Sequence, residues 1–199
     1  MILIIDYGMG NLRSVEKAFQ KVGADVRVSS NPADFARADK VVVPGVGSFD
    51  HAVNELKARK LWEPLKAWIA ADKPYLGLCL GMQLLFERSA EGKETGLGVM
   101  KGEVERFPTG LKVPHMGWNT VKRGGGAALW KGIPEAAAFY FVHSFFVKPA
   151  DQKTVAGETS YGKDFVSAIH KGRVFATQFH PEKSQEHGLR LLRNFAEMS

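Results

Sequence analysis

The hydrophobic pattern changes character about halfway along the chain. In the first half, continuous apolar runs alternate with helical periodicity. Ile2 to Asp6 reads as a buried strand ending in a carboxylate. After the glycine turn Tyr7-Gly8-Met9-Gly10, Asn11 can cap a helix from about Leu12 to Lys21, with Leu12, Val15, Ala18, Phe19 and Val22 on one face. Gly23 stops it. Ala24 to Ser29 predicts a second strand, Asn31-Pro32 opens a short helix to about Ala38, and Lys40 to Val43 predicts a third, central strand. Helices are expected over Phe49 to Lys60 and Leu61 to Ala71. A further apolar strand begins at Tyr75, and Met82 to Arg88 reads as helical. Strands alternating with helices predict an open α/β sheet.

From Val99 the pattern becomes one of short strands. Val99 to Phe107, Trp118 to Lys122, Phe139 to Val147, Thr154 to Ser160, Phe165 to His170 and Val174 to Phe179 are separated by Gly, Pro and Asp turns. The second half is therefore expected to be β-rich and antiparallel, packed beside the first-half sheet. Gly124-Gly125-Gly126 reads as a loop within it, not a domain linker. Ser184 to Met198 closes the chain as an amphipathic helix with Leu189, Leu192, Phe195 and Ala196 inward and Gly188 as a minor weakness. Residues 1–199 are expected to form a single domain.

Composition narrows the function more than the fold. Of 199 residues, 45% are hydrophobic and 24% charged, ordinary for a globular chain. A single cysteine, Cys79, allows no internal disulfide and no Cys-x-x-Cys metal pattern, so no metal is expected. A lone thiol suits a reducing, cytoplasmic setting. The apolar N-terminus is too short for a signal peptide and lacks a basic flank. No apolar run approaches the roughly 18 residues needed to span a bilayer, so no membrane partner is expected. A net charge of +6 and a pI near 9.4 could serve nucleic acid. Lys and Arg are scattered, however, and no nucleic-acid partner is expected. Gly8-x-Gly10-x-x-Arg13 starts like a dinucleotide fingerprint but lacks its third glycine and a following acid, so no cofactor is expected.

The chemistry centres on Gly77-Leu78-Cys79-Leu80-Gly81. Glycines two positions either side of a nucleophile are the pattern of a sharp strand-to-helix elbow. Far along the chain, His180 lies just past an apolar strand, in His180-Pro181-Glu182. Pro181 forces the chain to turn, so Glu182 can reach back to the imidazole Nδ1 and leave Nε2 free as a base. Cysteine, histidine and glutamate then take the roles of nucleophile, base and orienter. A third turn, Pro44-Gly45-Val46-Gly47, ends the third strand and can present backbone N–H groups outward.

These three stretches resemble the signatures of the class I, triad-type glutamine amidotransferase family, and the resemblance runs the length of the chain. It implies a flavodoxin-like α/β fold: an open, mixed, mostly parallel sheet flanked by helices. It also implies L-glutamine as substrate, attacked by Cys79, with His180 and Glu182 completing the triad. Leu80, Val46 and Gly47 would supply the oxyanion hole. Gln83, Glu91, Ser144, Phe145 and Gly45 would bind glutamine. Asp6 to Ser14, Pro114-His-Met-Gly-Trp-Asn119 and Phe139 to Ser144 are similar to the branch that forms the glutaminase subunits of imidazole glycerol phosphate synthase. That implies a heterodimer with a (β/α)8-barrel cyclase subunit, docked through Pro114, Met116, Trp118, Lys183 and Asn11. Another acceptor, as in anthranilate or aminodeoxychorismate synthesis, and a non-catalytic partner-binding module are the alternatives.

Overall fold

A computed structural model of the chain describes residues 1–125 and 128–198. Gly126 of the predicted glycine loop lies outside the described residues. The first half runs β1 (Ile2–Ile5), α1 (Leu12–Lys21), β2 (Val26–Ser29), a 3-10 turn over Pro32–Arg37, β3 (Lys40–Gly45), α2 (Phe49–Ala58), α3 (Trp62–Ala70), β4 (Tyr75–Cys79) and α4 (Leu80–Gln83). Asn11 caps α1 through its side chain, as its position predicts. β2, β1, β3 and β4 are parallel neighbours in that order.

Continuous apolar runs form these strands because both sheet faces are covered. Leu3, Ile5, Val41 and Val43 belong to one core layer with Val53, Leu56, Leu65 and Trp68 of α2 and α3. Ile2, Ile4, Val42, Leu76 and Leu78 belong to the other, with Phe19 of α1 and residues of the C-terminal helix. Alternate residues of one strand thus feed opposite layers, so a polar substitution on either face would bury an unpaired group.

The second half continues with β5 (Arg88–Ser89), β6 (Gly102–Arg106), β7 (His115–Arg123), β8 (Ala137–His143), β9 (Phe145–Pro149), β10 (Val155–Ser160), β11 (Asp164–Lys171), β12 (Val174–Thr177) and α5 (Gln185–Glu197). The full sheet order is β2-β1-β3-β4-β12-β11-β10-β7-β8, with β5, β6 and β9 branching from β11. β11, β10, β7 and β8 are antiparallel. β12, by contrast, pairs parallel with β4, Val174 opposite Tyr75 and Thr177 opposite Leu78. The last strand of the chain therefore ends at the same sheet edge as the elbow strand.

Three sequence expectations are corrected. The helix read over Met82 to Arg88 is a single turn, α4. The carbonyls of Leu84, Leu85, Phe86 and Glu87 accept instead from the N–H groups of Leu97, Met100, Gly98 and Gly96, so the returning segment takes the bonds a longer helix would need. The strand read over Phe139 to Val147 is two strands that separate at Ser144: β8 pairs with β7, while β9 pairs with β6 and β11. Gly188 is no weakness: a side chain there would collide with the carbonyl of Pro181, so its absence lets α5 rest on the His180-Pro181-Glu182 turn.

Candidate active site

The elbow is tight for a steric reason. Cys79 ends β4 with φ 53° and ψ −103°, a conformation that costs an L residue on the order of 1–3 kcal/mol. A side chain at Gly77 would strike the backbone of Gly81, its nearest atom 2.5 Å away, and one at Gly81 would strike the carbonyl of Val43. The two flanking glycines are therefore the condition for turning the chain here. Tyr75 closes the turn by donating its hydroxyl to the Gly81 carbonyl at 2.7 Å, in the interior. Gly45 lies opposite Cys79 in the β3–β4 register, and a side chain on it would strike the Tyr7 hydroxyl.

The parallel pairing of β12 with β4 carries the chain past Cys79 to His180. His180 Nδ1 and Glu182 Oε1 are 2.8 Å apart, with side-chain exposures of 4% and 2%. The carboxylate is acceptor-only when ionised, so the Nδ1–H donates and Nε2 is left toward Cys79. Nε2 closes no hydrogen bond, and Glu182 Oε2 has no partner either. Burial pulls the imidazole pKa down, but the neighbouring Cys79 and the hydrogen-bonded Glu182 carboxylate outweigh it and raise it to about 10. At neutral pH the arrangement favours the imidazolium form of His180. The backbone of His180 is held as firmly as its ring. His180 N–H donates to the Tyr140 carbonyl at 2.9 Å, and the Ser184 hydroxyl donates to the His180 carbonyl at 2.6 Å. Ser184 Oγ also accepts from Tyr140 N–H at 3.0 Å.

In front of the sulfur is a cavity of about 430 Å³ lined by Val46, Gly47, Ser48, Cys79, Leu80, Gln83, Glu91, Pro114 and the segment 142–145. It gathers the predicted oxyanion residues and most of the predicted substrate residues. Gln83 is buried, its Nε2 donating to the Phe145 carbonyl at 3.3 Å and to Gln178 Oε1 at 3.2 Å. Glu91 places one carboxylate oxygen 2.8 Å from the Phe49 N–H, capping α2 directly behind the Gly45–Gly47 turn. The Ser144 carbonyl accepts from Phe107 N–H at 3.2 Å. A larger cavity, about 620 Å³, lies at the opposite ends of β4 and β12, between Lys66, Asp72, Leu97 and Lys171, far from both Cys79 and His180. Among the described residues no cluster of three or more His, Cys, Asp or Glu side chains could hold a metal.

Beside the cavity mouth the surface is apolar. Met116 and Trp118 on β7 are 61% and 49% exposed, and Val46 is 41% exposed. Simple core packing is thus ruled out for Trp118. Its ring meets Tyr140 edge-on at 6.1 Å, and the Lys183 ammonium lies 5.8 Å from the Tyr140 ring centre. Pro114 and Lys183 are exposed, as is Asn11, which serves as the cap of α1.

The model of the glutamine amidotransferase class-I family matches residues 3–198 of this chain. The chain belongs to that family. An imidazole glycerol phosphate synthase subunit HisH of Syntrophotalea carbinolica is 48% identical, covering 100% of both chains. Proteins of the same name from Rhodopirellula baltica and Aromatoleum aromaticum are 50% and 51% identical over 98% of this chain, and 97% and 96% of theirs. Among solved structures, a glutamine amidotransferase has a TM-score of 0.78 at 16% identity with both chains fully covered. PurLQS from Thermotoga maritima has 0.77 at 17% identity, covering 98% of this chain and 96% of that one. At such identities these two carry the fold alone.

Within this amidotransferase fold, several residues at the site were missed in the sequence. Gln178, fully buried, donates from Nε2 to Cys79 Sγ at 3.4 Å. Tyr7 donates its hydroxyl to the Pro44 carbonyl at 2.8 Å, so the first glycine turn braces the third. His143 and His115 form a buried pair, Nε2 to Nδ1 at 3.0 Å, ending on the Phe145 carbonyl. Burial lowers both, His143 to about 3 and His115 to about 4. Only Gln178 had a signal: a polar residue closing an apolar strand next to the base.

Proposed function

We propose that this chain is the glutaminase subunit of an imidazole glycerol phosphate synthase, supplying ammonia for histidine biosynthesis. The observation that carries this is a buried Cys79–His180–Glu182 arrangement opening onto a glutamine-sized cavity, in a chain about half identical over its full length to proteins named as that subunit. Cys79 Sγ attacks the side-chain carboxamide carbon of L-glutamine. The carbonyl electrons move to oxygen and are held by the N–H groups of Leu80 and of the Val46–Gly47 turn, donors typically worth about 3 kcal/mol each. As the C–N bond breaks, His180 Nε2–H protonates the departing ammonia, leaving a thioester. The neutral imidazole then takes a proton from water, which attacks the thioester and releases glutamate. Glu182 keeps His180 in the required tautomer throughout. Gln83, Glu91, Gly45 and the Ser144–Phe145 backbone hold the substrate.

The partner is a cyclase subunit with a (β/α)8-barrel fold, seated on Pro114, Met116, Trp118, Lys183 and Asn11. Ammonia passes into it without meeting bulk water, where it would be protonated. A cytoplasmic setting keeps the thiol reduced. A free glutaminase would waste glutamine, so the partner is expected to set the Val46–Gly47 peptide in its productive orientation. Glutamate release, measured with and without the cyclase and its ligand, tests this. Low activity alone and strong stimulation by the complex are expected. Full activity of the isolated chain would remove the coupling, and stimulation by a chorismate-using subunit instead would change the acceptor.

A further inference from the structure

The sulfur of Cys79 has a second neighbour besides His180, and the direction of that contact can be deduced. Gln83 lies against the Phe145 carbonyl, which can only accept, so the Gln83 amide must turn its NH₂ toward it. The second N–H of the same NH₂ then points to Gln178, whose carboxamide oxygen must face it at 3.2 Å. That orientation leaves the Gln178 NH₂ on the far side, 3.4 Å from Cys79 Sγ. One backbone carbonyl thus fixes the polarity of two successive side-chain amides and delivers a donor to the nucleophile. His143 reinforces the anchor by donating its Nδ1–H to the same carbonyl at 2.7 Å. Gln178 itself cannot swing away, being fully buried with its backbone N–H held by the Ser167 carbonyl at 2.8 Å.

We infer that Gln178 is a positioning residue for the nucleophile: it donates a hydrogen bond that holds Cys79 as a thiolate aimed into the substrate cavity, with Gln83 and the Phe145 carbonyl fixing its orientation. An N–H donor favours the anion over the thiol, because only the anion accepts strongly. Gln83 consequently acts twice, once on the substrate and once on the sulfur through Gln178. The inference rests on Cys79 being the nucleophile of the proposed glutaminase.

The test uses the single thiol of the intact chain. The rate of alkylation by iodoacetamide, followed against pH without glutamine, reports Cys79 alone. Gln178→Met keeps the shape and removes the donor. Its acid limb is expected about one pH unit above that of the wild type, so alkylation below the limb slows about tenfold. Gln83→Met, which leaves Gln178 in place but frees its amide, shifts the limb the same way by less. It decides the matter if Gln178→Met does not fold by near-ultraviolet circular dichroism. A folded Gln178→Met whose limb overlays the wild type, or one that loses only plateau rate, overturns the inference, as does an unmoved limb in Gln83→Met when that variant alone folds. Because the readout needs no glutamine, that failure would leave the glutaminase reading untouched. A shifted limb in a chain that never releases glutamate would sink the glutaminase reading instead.

Discussion

Cys79 stands between two turns built in opposite ways. On one side, His180-Pro181-Glu182 is closed. Its imidazole and carboxylate are almost wholly buried, its backbone is tied to Tyr140 and Ser184, and Gly188 lets α5 press on Pro181. On the other side, Gly45-Val46-Gly47 is open. Val46 is 41% exposed, and Gly47 has φ 101°, which suits glycine and few other residues. Tyr7 and Glu91 brace the two ends of this turn and leave its middle to the cavity. The difference teaches how the work is divided. In the proposed mechanism proton transfer needs fixed geometry, and that side is finished within the chain. Oxyanion stabilisation depends on the direction of one peptide, and a directional change there alters the rate by roughly 10². The adjustable element is thus the open turn, whose exposed Val46 a partner can reach.

Cys79→Ala removes what both turns serve, and glutamate release by the complex is expected to fall at least about 10⁴-fold, with cyclisation from free ammonia retained. Glu182→Gln keeps the shape of the closed turn but loses the ionised partner of Nδ1; a loss of roughly 10³-fold in kcat with little change in KM is expected from steady-state kinetics. Gly47→Ala strains the open turn, since its methyl carbon would lie 2.8 Å from the Met9 side chain. It should cost about 10²-fold in glutamate release while iodoacetamide alkylation of Cys79 stays near wild type. Equal losses in both readouts would mean that the open turn also shapes the nucleophile. Trp118→Ala is expected to weaken assembly with the cyclase by about 2 kcal/mol in calorimetric titration, as loss of an exposed aromatic anchor does.

The smallest effect is on stability. The folded-state pKa of His180, about 10, lies above its ordinary 6.5, so the folded chain binds that proton more tightly. The resulting stabilisation is complete below pH 6.5 and is lost as pH rises toward 10. Glu182→Gln should flatten this slope in thermal unfolding. His115 and His143 have the reverse sign: their lowered values mean that the unfolded chain takes up protons first, so stability falls as pH drops below 6.5 toward 4 and 3.

The closed side was far more legible in the sequence than the open one. Gly77, Cys79, Gly81, His180 and Glu182 follow local rules, with glycine where backbone closes on backbone and a proline that turns a carboxylate toward an imidazole. What brings them together is the parallel pairing of β12 with β4 across about 100 residues, and periodicity says nothing of which strands become neighbours. That the helix after Cys79 stops at one turn was hidden, because the carbonyls of residues 84–87 are claimed by residues 96–100, a tertiary event. Gln178 was passed over because a glutamine at a strand end reads as surface until the strand on either side is known. The bracing role of Tyr7 was likewise invisible, since Tyr7 reaches Pro44 only once β1 and β3 lie side by side.

The most direct measurement is labelling of the intact chain, in complex with its cyclase, by an electrophile shaped like glutamine, followed by mass spectrometry. A single adduct on Cys79, slowed by free glutamine and absent in Cys79→Ala, is the expected result. Modification elsewhere, or labelling of Cys79 that glutamine does not compete, would contradict a glutamine-attacking thiolate at the elbow.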